Sequence, residues 1–296
     1  MRKFFTDFVD GKKNEVSAAT HDCYSGHSKR FLKWLKERAD KDIAEITQKD
    51  VTAYRDHIAK GVGARTTNNT LKAVKTFFAA ARKATFLIDD PAADVDTVRD
   101  RSESSRRPFT LDELRALLAV ASGEWRSMIL FGLYTGQRLG DVATLTWANL
   151  DTARDEIRLT TRKTARRLVL PLAAPLKAHV ATLPSSDDTK APLHPAACEV
   201  VRRLKKSGLL SNQFADLLTT AGLRTAIEAD EDNARAKYEL SFHSLRHTAT
   251  SLLKAAGIPQ SVVMSYIGHD SADVSHGYTH TGREALEKAA SALPAL

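Results

Sequence analysis

Apolar positions recur with a helical period through the first third of the chain. Tyr24, His27, Phe31, Leu32 and Leu35 form one stripe within residues 20–38, so a helix is expected there. Ile43 to Ile46 and then Lys49 to Lys60 read as a second helix, with Thr47 as its cap and Gly61 at its end. Leu71, Val74, Phe77, Phe78 and Ala81 share one side of a third helix over 69–83. Asp89-Asp90-Pro91 closes this helical unit, and 96–108, charged, Ser-rich and without a period, reads as a linker. Beyond it, Thr110-Leu111-Asp112-Glu113 has the form of a capping box that opens a helix. Trp125 to Tyr134 is a strongly apolar helix stopped at Gly136, and Asp141 to Leu145 continues as a short one. Glu156 to Thr160 and Leu168 to Leu170 flank the basic turn Arg162 to Arg167, which reads as a β-hairpin with a charged tip. Helices resume after Pro171, with Leu183 to Pro195 a proline-rich loop. The expected fold is mainly α with a small antiparallel β-sheet: a helical domain over 1–95, the linker 96–108, and a mixed α/β domain over 109–296.

Composition narrows the class. A chain of 296 residues suits two domains, and 43% hydrophobic with 27% charged residues is ordinary for a globular protein. Disordered and fibrous classes are therefore excluded. No apolar run approaches the roughly 18 residues that span a bilayer. Asp7 and Asp10 interrupt the Phe-rich start, and no small-residue cleavage site follows, so a signal peptide is not expected. Cys23 and Cys198 stand far apart, which excludes a disulfide framework and a cysteine zinc site and points to a reducing cytoplasm. The 44 basic residues outnumber the 36 acidic ones, and the net +8 is shared evenly between the two halves. A polyanion touched by both halves would explain this, and so would an ordinary basic surface. Between Arg55 and Lys83 seven basic residues accompany one acidic residue. That face is either solvated or in contact with phosphates.

The second half carries the chemistry. Arg138 follows a glycine turn directly after an apolar helix, which gives it a rigid support. His243 and Arg246 are three residues apart and share a helical face. Two arginines can hold a phosphate with paired donors. Lys163 at the hairpin tip can deliver a proton, and Tyr278 follows the small, polar stretch 271–277. Two Arg, a Lys, two His and a Tyr make a phosphoryl-transfer site that needs no metal, because the arginines supply the charge stabilisation and the Tyr the nucleophile. Taken singly, each piece has an ordinary explanation: a helix C-cap before a surface Arg, a solvated turn lysine, a packed loop tyrosine. His243 and His247 have zinc-helix spacing, but Ser244 stands where the H-E-x-x-H pattern needs Glu, and His276 and His280 bring no Cys or carboxylate at ligand spacing. No metal site is expected.

The ordered set resembles the tyrosine recombinases, also called the phage integrase family, over nearly the whole chain. That family's pattern is an Arg in a TGxR-like turn with an acidic residue three on, a hairpin Lys, H-x-x-R, a G-H pair, and a Tyr about nine residues later. Here these are Arg138, Asp141, Lys163, His243, Arg246, His269 and Tyr278. The resemblance implies that Tyr278 attacks the scissile phosphate to give a 3′-phosphotyrosine and a free 5′-hydroxyl. Arg138 and Arg246 would clamp the non-bridging oxygens, and Lys163 would protonate the leaving oxygen. His243 would act as the base, His269 would hydrogen-bond the phosphate, and Asp141 would orient the His and Arg side chains. It further implies a site-specific recombinase without metal, ATP or other cofactor, serving integration of a mobile element or resolution of replicon multimers. A catalytically silent DNA-binding relic and a type IB topoisomerase-like activity are the rivals.

The same resemblance makes the first domain a SAM-like core-binding domain that closes on DNA with the catalytic domain. Arg65, Thr67, Asn69, Lys72 and Lys75 are the expected DNA contacts. The implied partners are duplex DNA with paired inverted sites and further copies of the chain, as a homotetramer on synapsed DNA, with or without an accessory DNA-bending protein. The implied location is the cytoplasm, at the nucleoid, with no membrane. The roughly 20 residues before the first expected helix leave no room for a separate arm-binding domain. In a tail helix over 283–296, Leu286, Ala289, Ala290 and Leu293 share one side, to dock on a neighbouring protomer or on its own domain. Three departures stand out. Ile267 replaces a usual Leu, Arg162, Arg166 and Arg167 compete with Lys163, and 80 residues separate Lys163 from His243. The acidic run 228–232 in that long segment is expected to sit away from DNA.

Overall fold

The computed structural model describes residues 1–100, 106–184, 186–204, 206–224, 226–227, 237–268 and 282–296. Two compact units divide them, one within residues 1–100 and one from 106 on. Most of the chain is helical, with small antiparallel sheets confined to the second unit.

The first unit consists of helices α1 (Arg2–Gly11), α2 (Ala18–Leu35), α3 (Gln48–Ala59) and α4 (Ala64–Lys83). Helix α1 starts well before the first helix expected from the pattern. Asp7 and Asp10 break its apolar run, yet Phe5 and Val9 are i,i+4 neighbours and both are buried. The Phe5 ring meets Phe31 at 5.7 Å and Phe77 at 5.2 Å, and Phe31 meets Tyr54 at 4.8 Å, so aromatic rings fill this core. The segment at Ile43 is only a 3₁₀ turn, Ile43–Glu45. Helix α4 begins five residues ahead of the expected Asn69. Thr67 and Thr70 hid this start, since both are buried and their hydroxyls donate back to Gly63 O and Thr66 O.

Asp50 ties this unit together. Its Oδ2 accepts the Thr47 N–H (2.9 Å), completing the α3 capping box, and both its oxygens accept from Arg38 (2.7 and 2.9 Å). The hydrogen bonds from Arg38, with help from Thr47 and against the cost of burial, hold the carboxyl well below the usual carboxylate range. A depressed carboxyl contributes stability that is complete above the unfolded value near 4 and is lost as pH falls through the folded one. Asp50→Asn is therefore expected to cost about 1–2 kcal/mol in urea melts at pH 7. The deficit should shrink on acidification below about pH 4. A deficit undiminished in acid would assign the effect to shape rather than charge.

In the second unit, α5 (Leu111–Val120) is capped as expected by Thr110 and Glu113. Helix α6 (Gly123–Thr135) is buried continuously over 127–135 and packs on α11 (Phe242–Ala255). The contact is close at Gly132, where a Cβ would sit 2.7 Å from Phe242 Cζ. After α7 (Leu139–Val142) comes a sheet of β1 (Leu150–Asp151), β2 (Glu156–Thr160) and β3 (Arg167–Pro171), antiparallel in that order. The pairs Ile157–Leu170 and Leu159–Leu168 face the core. Helices α8 (Ala174–Thr182), α9 (Pro195–Arg202) and α10 (Ser207–Thr220) follow. The two-residue strands β4 (Ala226–Ile227) and β5 (Lys237–Tyr238) pair outside anything the pattern suggested. The acidic run 228–232 lies outside the described residues.

The unit ends with α12 (Gln260–Ile267) and α13 (Arg283–Ser291). Ala289, Ala290 and Leu293 are buried in the core of this same unit, Arg283 pairs with Glu156 of β2 at 2.6 Å, and Pro294 O accepts from Tyr134 OH. In this chain the tail helix packs on its own unit.

Candidate active site

The site is built where two helices end against each other. Helix α6 stops at Gly136 and α12 at Gly268, both in the left-handed conformation (φ 64° and 69°). Neither position has room for a side chain. A Cβ on Gly136 would lie 2.3 Å from Ile267 Cδ1, and one on Gly268 would lie 2.8 Å from Leu168 Cδ1. The closeness brings the carbonyls of Gly136 and Ile267 onto one donor, Arg246 Nη1, at 2.8 and 2.6 Å. Gln137 braces the same junction, its Nε2 donating to Thr135 O (2.8 Å) and Ile267 O (3.4 Å).

Arg246, on α11, is only 4% exposed. Its partners are helix C-terminal carbonyls, which carry partial negative charge but no net charge. The other nitrogen, Nη2, is buried and has no partner among the described residues, and the same holds for Arg138 Nη1 at the start of α7. Burial pushes the Arg246 guanidinium down to about 10; Arg138 adds to this and Asp141 opposes it. It stays charged at neutral pH.

His243 sits half-buried in the first turn of α11, edge-on to His247 with ring centres 5.0 Å apart. Burial first, then His247, Arg246, Arg106 and Arg138, push its imidazole down to about 4. It is neutral at pH 7, able to accept a proton, in a pocket of positive charge.

Asp141 is buried, and its Oδ1 accepts the backbone N–H of Arg162 at 2.8 Å. The described bond is to backbone and ties α7 to the hairpin, and the Asp141 carboxylate also acts on the Arg246 guanidinium. The hairpin turn is closed by Thr161 N–H to Arg166 O (2.8 Å), and Lys163 stands exposed at its tip. The Arg162 guanidinium instead lies against Gly140, where an added Cβ would be 3.3 Å from its Nη1. His269 and Tyr278 lie outside the described residues.

The expected DNA contacts all fall on α4 of the first unit, and they divide. Arg65, Asn69 and Lys72 are exposed and spaced to share a face. Thr67 cannot serve: it is fully buried on the opposite side with its hydroxyl on Gly63 O. Lys75 is half-buried and donates one of its three N–H groups to Ala93 O at 2.9 Å. Sequence reasoning also passed over Arg106 and Gln137. Gln137 sits inside the TGxR motif, where its polar side chain between two motif residues was the available signal. Among the described residues no three His, Cys, Asp or Glu gather as a metal site.

Comparison with known proteins places both units. The model of the phage integrase family matches residues 107–284, and that of the phage integrase N-terminal SAM-like domain matches residues 5–85. The tyrosine recombinase XerC of Listeria innocua is 25% identical, covering 97% of this chain and 95% of its own. The tyrosine recombinase XerD of Mycobacterium tuberculosis is 27% identical over 92% and 90%. Among solved structures, the Tn1549 transposon integrase with transposon right end DNA superposes at a TM-score of 0.68, with 16% identity over 97% of this chain and 96% of that one. A lambda integrase dimer bound to a COC′ core site gives 0.67, with 16% identity over 95% and 99%. With one model covering most of the second unit and the other most of the first, the chain belongs to the phage integrase family.

Proposed function

We propose that this protein is a site-specific DNA recombinase that breaks and rejoins strands through a 3′-phosphotyrosine intermediate, without metal or ATP. The observation that carries the proposal is the pair of buried guanidinium donors, Arg138 Nη1 and Arg246 Nη2, that have no partner among the described residues, with a neutral His243 on the same helix as Arg246. A buried charged donor without a partner is costly, so a site that keeps two of them is shaped for an anion, and a phosphodiester supplies it. As negative charge grows on the phosphorane, the two arginines stabilise it more than they stabilise the ground state. Tyr278 attacks phosphorus, His243 accepts the phenolic proton, and the 5′-oxygen leaves with a proton from Lys163. His269 donates to a non-bridging oxygen. Asp141 holds the hairpin base through Arg162 N–H, which sets where Lys163 can reach. The covalent link conserves the phosphodiester energy, so religation to another strand needs no nucleotide.

Arg65, Asn69 and Lys72 are the proposed phosphate contacts of the first unit, which serves as the core-binding domain over 1–95, joined by the 96–108 linker to the catalytic domain over 109–296. A lambda integrase tetramer bound to a Holliday junction, at a TM-score of 0.65 and 19% identity, supports the fold. By the same analogy four copies of this chain would act on two synapsed duplexes with inverted sites, in the cytoplasm at the nucleoid, with a mobile element or a replicon multimer as substrate.

The test is covalent trapping. The protein is mixed with a nicked fragment library of its own genome, denatured in SDS, and the DNA held by protein is sequenced. Adducts clustered at one inverted-repeat site are the expected result. DNA binding with no adduct from any fragment would leave a DNA-binding relic, and adducts spread without a common site would favour topoisomerase-like relaxation.

A further inference from the structure

The last carbonyls of α6 each have a donor. Tyr266 OH donates to Tyr134 O at 2.8 Å, Gln137 Nε2 to Thr135 O at 2.8 Å, and Arg246 Nη1 to Gly136 O at 2.8 Å. Ile267 O, at the end of α12, takes two donors: Arg246 Nη1 at 2.6 Å and Gln137 Nε2 at 3.4 Å. The Arg246 guanidinium and the Gln137 amide therefore meet at a single oxygen. The turn at Gly136 folds residue 137 back over the end of α6, with its own N–H aimed at Thr135 Oγ1 (3.4 Å). Both partners of the Gln137 amide are carbonyls, so its nitrogen faces them and its oxygen faces away. That oxygen is buried without a partner among the described residues, on a side chain only 1% exposed. A leucine or methionine would fill similar space without burying an unpartnered acceptor, so burial by itself gives no reason for an amide here.

We propose that Gln137 is a positioning residue for Arg246: its amide nitrogen ties Thr135 O to Ile267 O and so fixes the carbonyl on which Arg246 Nη1 rests. Thr135 O belongs to α6 and Ile267 O to α12, so the amide joins the two helix ends independently of the arginine. With the amide in place, Nη1 has one seat, between Gly136 O and Ile267 O, and the free Nη2 has one direction. Without it, Arg246 alone holds the Ile267 carbonyl, and guanidinium and carbonyl shift together. A shift of about 1 Å in a catalytic group costs about 10²-fold in rate. The proposal rests on the recombinase reading only for what Arg246 does with the phosphate.

The test is Gln137→Met, which keeps an unbranched side chain of similar size and removes the donor. In the free protein, labelled with ¹⁵N-arginine, the guanidinium signals of Arg246 are assigned by their loss in Arg246→Lys. Wild type is expected to give separate Nη1 and Nη2 signals, because two carbonyls hold one of the nitrogens. In Gln137→Met these signals should shift and broaden as the group gains freedom to turn. Single-turnover adduct formation should fall by about 10–10²-fold, with DNA affinity in gel shifts held within about twofold. If thermal melts show that Gln137→Met does not fold, Gln137→Asn, whose amide is one methylene shorter, is read in the same way. Unchanged Arg246 signals, or a loss of rate matched by an equal loss of affinity, would overturn the proposal. The NMR measurement is made without DNA, so it stands whether or not a substrate is cut. Absence of adducts from wild type itself would count against the recombinase reading instead.

Discussion

Replacing Tyr278 with Phe is expected to remove every covalent DNA adduct while leaving DNA binding unchanged. A base or acid can be lost with a rate penalty of about 10²–10⁴, because water and neighbouring groups substitute in part. A nucleophile that forms the covalent bond has no such substitute. The phenol is weak by itself: with a pKa near 10, only about one in a thousand is phenolate at pH 7. In the proposed mechanism Arg138, Arg246 and the neutral His243 supply the positive field and the base that it needs. Two buried tyrosines of the same unit are poor replacements. Tyr134 and Tyr266 are buried with their hydroxyls donated to Pro294 O and Tyr134 O. Burial pushes the Tyr134 phenol up to about 12 and the Tyr266 phenol higher still. SDS-resistant adducts scored beside a native gel-shift decide the matter. Adducts that persist in Tyr278→Phe would move the nucleophile elsewhere.

Arg246→Lys is expected to slow adduct formation by about 10²–10³ with little change in melting temperature. Arg246 holds Gly136 O and Ile267 O with Nη1, while Nη2, buried and without a partner among the described residues, is the proposed donor to the anion. A lysine has one ammonium for both tasks. It can satisfy the two carbonyls and preserve the α6–α12 junction, and then it no longer reaches the phosphate. Single-turnover rates beside thermal melts separate the two tasks. A large loss of stability with an unchanged rate would reverse the assignment and make Arg246 a structural pin.

The fold was legible wherever one residue pattern had one explanation. The strands around 162–167 alternate, α6 is apolar from Met128 to Tyr134, and Thr110 with Glu113 has the spacing of a capping box. Helix α1 and the first turn of α4 were hidden, because aspartates and threonines stand at positions where burial or a back-bonded hydroxyl, rather than an apolar side chain, decides the outcome. The site shows the same division. The charged residues were visible as letters in an ordered set. What fixes Arg246 is a pair of main-chain carbonyls, and what Asp141 holds is a main-chain N–H, neither of which any residue type announces. Thr67 was misplaced for a related reason: spacing gives a face of a helix only once the helix's start is known.

The contrast between the exposed stripe on α4 and the buried Arg246 has a consequence for how salt acts on this enzyme. Each phosphate neutralised by an exposed residue such as Arg65 or Lys72 releases condensed counterions, and log K falls by about 0.9 for every tenfold rise in salt. Mobile ions screen exposed charges within about 10 Å at 0.1 M, but a guanidinium that is 4% exposed is largely beyond their reach. Affinity for DNA should therefore drop steeply as salt rises, while the cleavage rate within a preformed complex stays nearly level. At high ionic strength the protein loses its grip on DNA before it loses its chemistry.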